Sequence, residues 1–405
     1  MADVSIATGA RADTSRGPRA IAFLPDDDQV GYKFYNSAWD IFYVKTTDGG
    51  ATWGTPVAVT GGFTDLIFDI WPEWWTPGHE TSTIIHIWYS STGTDDVLHK
   101  TLDTLDDTLT GNPGNAVYLG TTTLDDATIF VSGTMARNGD LFCAFCINGT
   151  TVEKGFYRSQ DGGANWSSLD TGFVEAAGDM CHLFPASGTG DDGDCWALYH
   201  DADADELSLK LWDASLGSAS ETAIVALVED ATIYQGPYGF AGALFSDGDL
   251  FVSAVTERDT ATADHRCFRV GGIGDVVELT AITTNIDDHY YPAPFIDQLT
   301  DDIYVAYNGK RDGSQVLGTT SQIFYVKSTD GGTTWSAGDT AYMEGVEDDI
   351  ARCWAPLMGP RFYVTWRTQP STSDILGNAV NSLTFAGGEP EPGPTLRTVQ
   401  SSLRW

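Results

Sequence analysis

Lysine is nearly missing from this chain of 405 residues: 7 Lys and 14 Arg face 44 Asp and 13 Glu, for a formal net charge of −36. A chain so short of cations has no basic face to lay along a phosphate backbone, which argues against nucleic acid as a partner. No helical heptad and no apolar run of membrane-spanning length occurs, which argues against a coiled coil and against membrane insertion. The 7 His show no metal-ligand spacing, and no glycine-rich loop leads from a strand into a helix, so zinc and nucleotide phosphates find no recognisable cradle. Cysteine is sparse, with 6 in the chain. Cys143 and Cys146 have C-x-x-C spacing, but they sit in the strand DLFCAFCI, where residues three apart point to opposite faces. Cys181 and Cys195 flank a hairpin about Gly188 and are a candidate cross-strand pair. The first twenty residues lack the apolar core of a secretory signal. The expectation is a protein that stays in the cell or leaves it as part of a virion.

What the chain has in place of these features is one turn in three near-copies: KTTDGGATW at Lys45–Trp53, RSQDGGANW at Arg158–Trp166 and KSTDGGTTW at Lys327–Trp335. In each, an apolar strand leads into Asp-Gly-Gly, which supplies one carboxylate acceptor and two residues free to take positive φ. Asp48, Asp161 and Asp330 are placed to accept backbone N–H groups inside the turn, and Trp53, Trp166 and Trp335 to cover it. The three aspartates lie 113 and 169 residues apart, close to two and three times a period of about 56. Strand-like runs keep that period where the turn is missing: QVGYKFYN, TIIHIWYS, DLFCAFCI, DCWALYHD, DLFVSAVT, DIYVAYNG and RFYVTWRT. A second strand follows each run. A short apolar strand precedes each: AIAFL, WPEWW, IFVSGTM, MCHLFPA, YGFAGALF, YPAPFI and RCWAPLM. Three strands and a weaker fourth make a blade, so the period predicts an all-β, seven-bladed β-propeller of four-stranded antiparallel blades.

The motif Ser/Thr-x-Asp-x-Gly-x-Thr-Trp resembles the Asp-box, or bacterial neuraminidase repeat, of the sialidase-like propellers. Thr46–Trp53 and Ser328–Trp335 meet it fully, and Ser159–Trp166 carries Asn165 in place of Thr. The resemblance implies a propeller with boxes in blades 1, 3 and 6. It implies a structural role for Asp48, Gly50, Trp53, Asp161, Gly163, Trp166, Asp330, Gly332 and Trp335, on the face opposite the ligand. Activity does not follow, because the box recurs in hydrolases, adhesins and structural propellers. A sialidase of this kind clamps its substrate with three arginines, the first in a Phe/Tyr-Arg-Ile-Pro motif. Here the corresponding region is GPRAIAF, with Arg19 and no such motif. The remaining arginine sector is Arg258, Arg311, Arg352 and Arg367, beside Tyr290, with Asp288 or Glu347 as the acid/base if catalysis survives.

In a propeller the ligand face is formed by the links between blades and the turns between second and third strands. Acids such as Asp65, Asp69, Asp125, Asp288 and Glu347 fall on those links, so that face is expected to be negative, suited to Ca²⁺ or Na⁺ and to hydroxyl-rich sugars. Trp74, Trp75, Tyr290 and Tyr291 are its aromatic platforms. The loop HDADADE from His200 is acidic enough for calcium but lacks calcium-loop spacing, so no metal site is assigned.

Residues 1–20 form an arm expected to supply the missing outer strand of the last blade, residues 21–385 the propeller, and residues 386–405 a Gly/Pro linker with the tail TLRTVQSSLRW. The tail has two arginines and no acid; it either folds back on the acidic surface or docks a partner protein. The Asp-over-Glu and Arg-over-Lys bias resembles proteins adapted to molar salt, where self-repulsion is screened within about 3 Å. The reading is a non-enzymatic binding or structural propeller, a virion surface component of a virus with a halophilic host. It would recognise glycan or a surface partner as part of a homo-oligomer or larger assembly, in a virion or extracellular location. The alternative is a sialidase-like glycoside hydrolase acting on surface glycans.

Overall fold

The apolar runs of each repeat are bounded by Asp, Gly and Asn and have the length of strands buried on both faces, whereas the fourth segment of each repeat is short or polar. The computed structural model folds them into seven antiparallel sheets, the blades of a propeller, with consecutive strands adjacent throughout five of them; Arg361–Phe362 and Leu383–Thr384 form a separate two-stranded sheet. It describes residues 3–7, 19–37, 40–61, 66–91, 96–110, 114–119, 127–148, 153–169, 172–174, 180–186, 192–201, 204, 206–226, 239–256, 265–282, 289–309, 322–336, 340–342, 350–368, 374–378 and 382–384. Blade 4 shows how burial falls from axis to rim. Its inner strand Met180–Pro185 is buried throughout, Cys195–Asp201 and Glu206–Asp213 are mostly buried, and Ser218–Ala226 is largely exposed. Blade 2 departs from four strands, because a short segment, Thr108–Leu109, pairs with its third strand before the outer strand Asn115–Tyr118.

An N-terminal strand completes blade 7. Its inner three strands are Ile350–Trp354, Thr365–Thr368 and Ile375–Gly377, and its outermost is Val4–Ala7, antiparallel to Ile375–Gly377. Asn378 Nδ2 donates to Asp3 Oδ1 at 2.8 Å beside that pairing. Blade 7 grips blade 1 through Arg361, whose guanidinium donates to Asp28 Oδ2 at 2.9 Å and to the Asp28 carbonyl at 2.8 Å.

The three Asp-Gly-Gly turns join third and fourth strands and share one hydrogen-bond pattern. In the first, Thr46 Oγ1 donates to Asp48 Oδ1 at 2.8 Å and accepts from Gly50 N at 2.9 Å, while Thr52 N and Oγ1 donate to the Asp48 carboxylate at 2.8 and 2.6 Å. Ser159, Asp161 and Asn165, and Ser328, Asp330 and Thr334, repeat it. The second glycine is needed for a further reason. A Cβ on Gly50 would lie 2.2 Å from Tyr363, one on Gly163 2.3 Å from His99, and one on Gly332 2.7 Å from Leu279. Each of these neighbours belongs to the preceding blade, so each turn is a joint between blades.

Two expectations are corrected. The inner strand of blade 2 is Leu66–Pro72; WPEWW marks its end, where Pro72 has no N–H to extend the ladder and Glu73–Trp75 forms a 3-10 turn. Cys181 and Cys195 are not cross-strand partners, since the register sets Cys181 opposite Tyr199 and Cys195 opposite Pro185; all six cysteines are free and buried. Among the described residues no helix is long and apolar enough to cross a membrane.

Candidate functional site

Asp69 sits inside the apolar run LIFDIWP, and a carboxylate there demands a buried partner. The partner is Arg19, which precedes the inner strand of blade 1; both side chains are 0% exposed. Arg19 Nε donates to Asp69 Oδ1 at 3.0 Å and Nη2 to Oδ2, while Nη1 donates to the Leu183 carbonyl at 2.8 Å and Nη2 to Ser132 Oγ at 2.8 Å. Gly133 N and Ser132 Oγ donate in turn to Asp69 Oδ2, at 3.1 and 3.2 Å. Burial pushes the Asp69 carboxyl up from its ordinary value, and the Arg19 charge and hydrogen bonds pull it back down. The inner strands of blades 2, 3 and 4 are thereby tied to the start of blade 1 across the axis. Arg19 therefore lies under the ring's core, stacked 5.0 Å from Trp71, and presents no guanidinium to solvent. Neither Arg19 nor Asp69 had been paired from the sequence. The signal was there: one acid in an otherwise apolar strand, and one arginine directly ahead of another.

On the face formed by the blade links and the second-to-third turns, the inner strand of blade 6, His289–Ile296, opens with a bulge between Tyr290 and Ala293. Within it Tyr291 has a φ of 54°, a left-handed conformation that is unfavourable for an aromatic residue. Its carbonyl accepts the Cys353 thiol at 3.0 Å, and its ring is half-buried at the edge of the core of blades 6 and 7. In blade 7, Arg352 lies opposite Arg367 in the ladder, so the two occupy one register position on neighbouring strands; Arg367 is buried.

Further round the same face, the ends of the second and third strands of blade 4 and its outer strand bring together Asp201, Glu206 and Glu221, with one oxygen from each within 4.8 Å of the others. Burial and the Asp201 and Glu221 charges raise the Glu206 carboxyl from its ordinary value. Lys210 Nζ stands 3.5 Å from Glu221 Oε2 and Ser208 Oγ donates to Glu221, so part of the charge is already met. Three carboxylates are hard donors of the kind that Ca²⁺ takes. They belong to the HDADADE loop and the outer strand facing it.

The structure relocates several expected site residues. Trp74 and Trp75 are corrected from platforms to core: they lie on the turn between first and second strands, 5% and 0% exposed. Trp75 packs edge-on against Trp71 at 5.7 Å, and neither ring has an open face for a sugar. Asp69 moves from the acidic rim to the buried axis. Arg258, Arg311, Asp288 and Glu347 lie outside the described residues, as do the other rim acids Asp65 and Asp125 and the C-terminal tail. Of Tyr290 and Arg352 only the backbone position is described, Tyr290 opposite Asn308 in blade 6. Among the expected site residues, the arrangement brings together Arg352 and Arg367.

The chain matches no protein-family model and no curated protein. Solved structures resemble it in fold. An ulvan lyase, a polysaccharide lyase, superposes with a TM-score of 0.50 at 12% identity over 92% of this chain and 95% of that one. A fungal alcohol oxidase in complex with copper gives 0.54 at 10% over 92% and 76%, and hydrazine synthase from Kuenenia stuttgartiensis 0.51 at 11% over 91% and 97%. At such identities the likeness is one of architecture. The ring is a seven-bladed β-propeller, and its likeness to these structures is one of fold alone.

Proposed function

We propose that this protein is a non-enzymatic binding propeller that takes a glycan on the face built from its blade links and second-to-third turns. In its finer form the reading is a virion surface component of a virus with a halophilic host. The observation that carries it is Tyr291. A half-buried aromatic residue held at a φ of 54° in a bulge costs about 1–2 kcal/mol, and such strain is retained where the ring's position matters more than stability. Its place near the start of the inner strand of blade 6 suits a ring that stacks on a sugar face.

The geometry of Arg19 favours binding over hydrolysis. A sialidase-type clamp needs arginines open to an anionic substrate, whereas the arginine ahead of the first blade is used up by Asp69, Ser132 and Leu183. The finer form is supported by 44 Asp against 13 Glu, a surface that keeps its hydration where salt is concentrated.

A glycan array probed in salt of about 1 M, with turnover of fluorogenic sialosides and hexosides followed on the same sample, tests the reading. Binding without turnover is expected. Turnover that disappears in Arg352→Ala would replace the proposal with a glycosidase whose site is the arginine sector.

A further inference from the structure

Third-to-fourth turns come in two kinds in this ring. In blades 1, 3 and 6 the Asp-Gly-Gly turn lays its own cover, Trp53, Trp166 or Trp335, against Tyr363, His99 or Phe251 of the preceding blade. In blades 2, 4 and 5 the turn carries an aliphatic side chain in water instead. Leu105 and Leu216 are 81% and 74% exposed, and Ile273 is exposed as well. Leu299, on the first-to-second turn of blade 6, opens onto the same face, because first-to-second and third-to-fourth turns share one end of an antiparallel blade.

These are four of the seven large apolar residues exposed among the described residues; Val57 and Val277 lie on outer strands and Leu119 follows one. A single exposed leucine is ordinary. Leu216, Ile273 and Leu299, however, fall on three consecutive blades of one face, each beside aspartates, and so form a row. The backbone beneath the two leucines is fixed, since Leu216 N and Leu299 N donate to Asp213 Oδ1 and Asp297 Oδ1 at 2.9 and 3.0 Å. Asp247 and Asp275 of blade 5 are exposed between them.

The described chain leaves blade 7 on this face. Thr384 pairs with Arg361 at the start of the second strand, and Arg361 Nη1 donates to the Gly49 carbonyl, inside the Asp-Gly-Gly turn of blade 1, at 3.4 Å. Phe385 to Pro394 follow, with three prolines. Extended at about 3.1 Å per residue, they span about 30 Å, against about 15 Å for the depth of a four-stranded blade. That carries Thr395 from blade 7 as far as blade 5. The segment beginning there has Leu396, Val399, Leu403 and Trp405, with Arg397 and Arg404 and no acid. Its composition complements the row: apolar anchors for the aliphatic tips, and guanidiniums for the aspartates around them.

We propose that Thr395–Trp405 folds back onto its own ring, setting its apolar side chains on Leu216, Ile273 and Leu299 and its arginines among the aspartates of those turns. Tethering favours the chain's own segment over a second copy, because a short link holds it at an effective concentration in the millimolar range. Leu105 stands apart, beyond the Asp-Gly-Gly turn of blade 1, and is left uncovered. Salt screens the arginine contribution but not the apolar one, so the docking weakens yet persists at about 1 M.

The test uses the full chain with a nitroxide on Ser401→Cys, which is labelled selectively because the six natural cysteines are buried. Leucine and isoleucine methyl signals are then compared before and after reduction of the nitroxide. In dilute solution the signals of Leu216, Ile273 and Leu299 are expected to be lost, with that of Leu105 unchanged. A mixture of methyl-labelled chains without the nitroxide and unlabelled chains with it is expected to lose none. Loss in the mixture would assign the row to a second copy and overturn the proposal, as would intact signals at the three tips or an equal loss at Leu105. Arg397→Glu/Arg404→Glu in the nitroxide chain is expected to restore the signals; a loss that persists there would also overturn it.

Discussion

Replacing Arg19 by Met keeps most of the side-chain volume and removes the charge. Asp69 would retain Gly133 N, Ile70 N and Ser132 Oγ as donors but lose both guanidinium contacts, at a site where both partners are 0% exposed. A buried carboxylate stripped of its partner costs about 3–5 kcal/mol. The Leu183 carbonyl and Ser132 also lose a donor each, which places Arg19→Met at the upper end of that range. The double variant Arg19→Met/Asp69→Leu removes both charges and is expected to recover most of the loss, since replacing a whole buried pair by apolar groups is often nearly neutral. Urea unfolding followed by circular dichroism at two salt concentrations measures it, and the loss should hardly change with salt because the pair is shielded from ions. A single variant that loses less than about 1 kcal/mol, or a double variant no better than the single, would refute the account of the axis.

Within one turn, Gly162→Ala and Gly163→Ala should separate strain from collision. Both positions have positive φ, 70° and 88°, but a Cβ on Gly162 meets nothing within 4 Å whereas one on Gly163 lies 2.3 Å from His99. Thermal unfolding is expected to show about 1 kcal/mol lost in the first and about 2–3 kcal/mol in the second; equal losses would contradict the joint. Hydrogen bonds from Asn165 and Thr334 lower the Asp161 and Asp330 carboxyls below their ordinary value. Their contribution is present above the unfolded carboxylate range and lost as pH falls through the lower folded values. Asp330→Asn should therefore flatten the acid limb of the melting-temperature profile, and an unchanged limb would show that this carboxylate is unlinked to folding.

Much of the ring could be read from the chain because each blade repeats the same solution: apolar runs bounded by turn residues, at a fixed interval. The Asp-Gly-Gly turns were legible for the same reason, since side-chain acceptor and positive-φ glycines are local chemistry. Trp74 and Trp75 were misread because an aromatic pair beside a loop looks alike whether it faces solvent or the core; the end of the inner strand at Pro72 decides it. Arg19 and Asp69 each stand out as a charge in or beside an apolar strand, but the two lie 50 residues apart and no local rule joins them. Tyr291 was named as a platform for its ring, whereas its distinguishing feature is a backbone angle that no composition reveals.

The most direct measurement is a calorimetric titration of the tightest array glycan into the wild-type chain and Tyr291→Gly, with melting temperatures recorded on both. Glycine accepts the φ of 54° without strain, so the account predicts a melting temperature that does not fall and an affinity at least about tenfold weaker. A lower melting temperature with unchanged affinity would make Tyr291 a packing residue and contradict the assignment of the binding face.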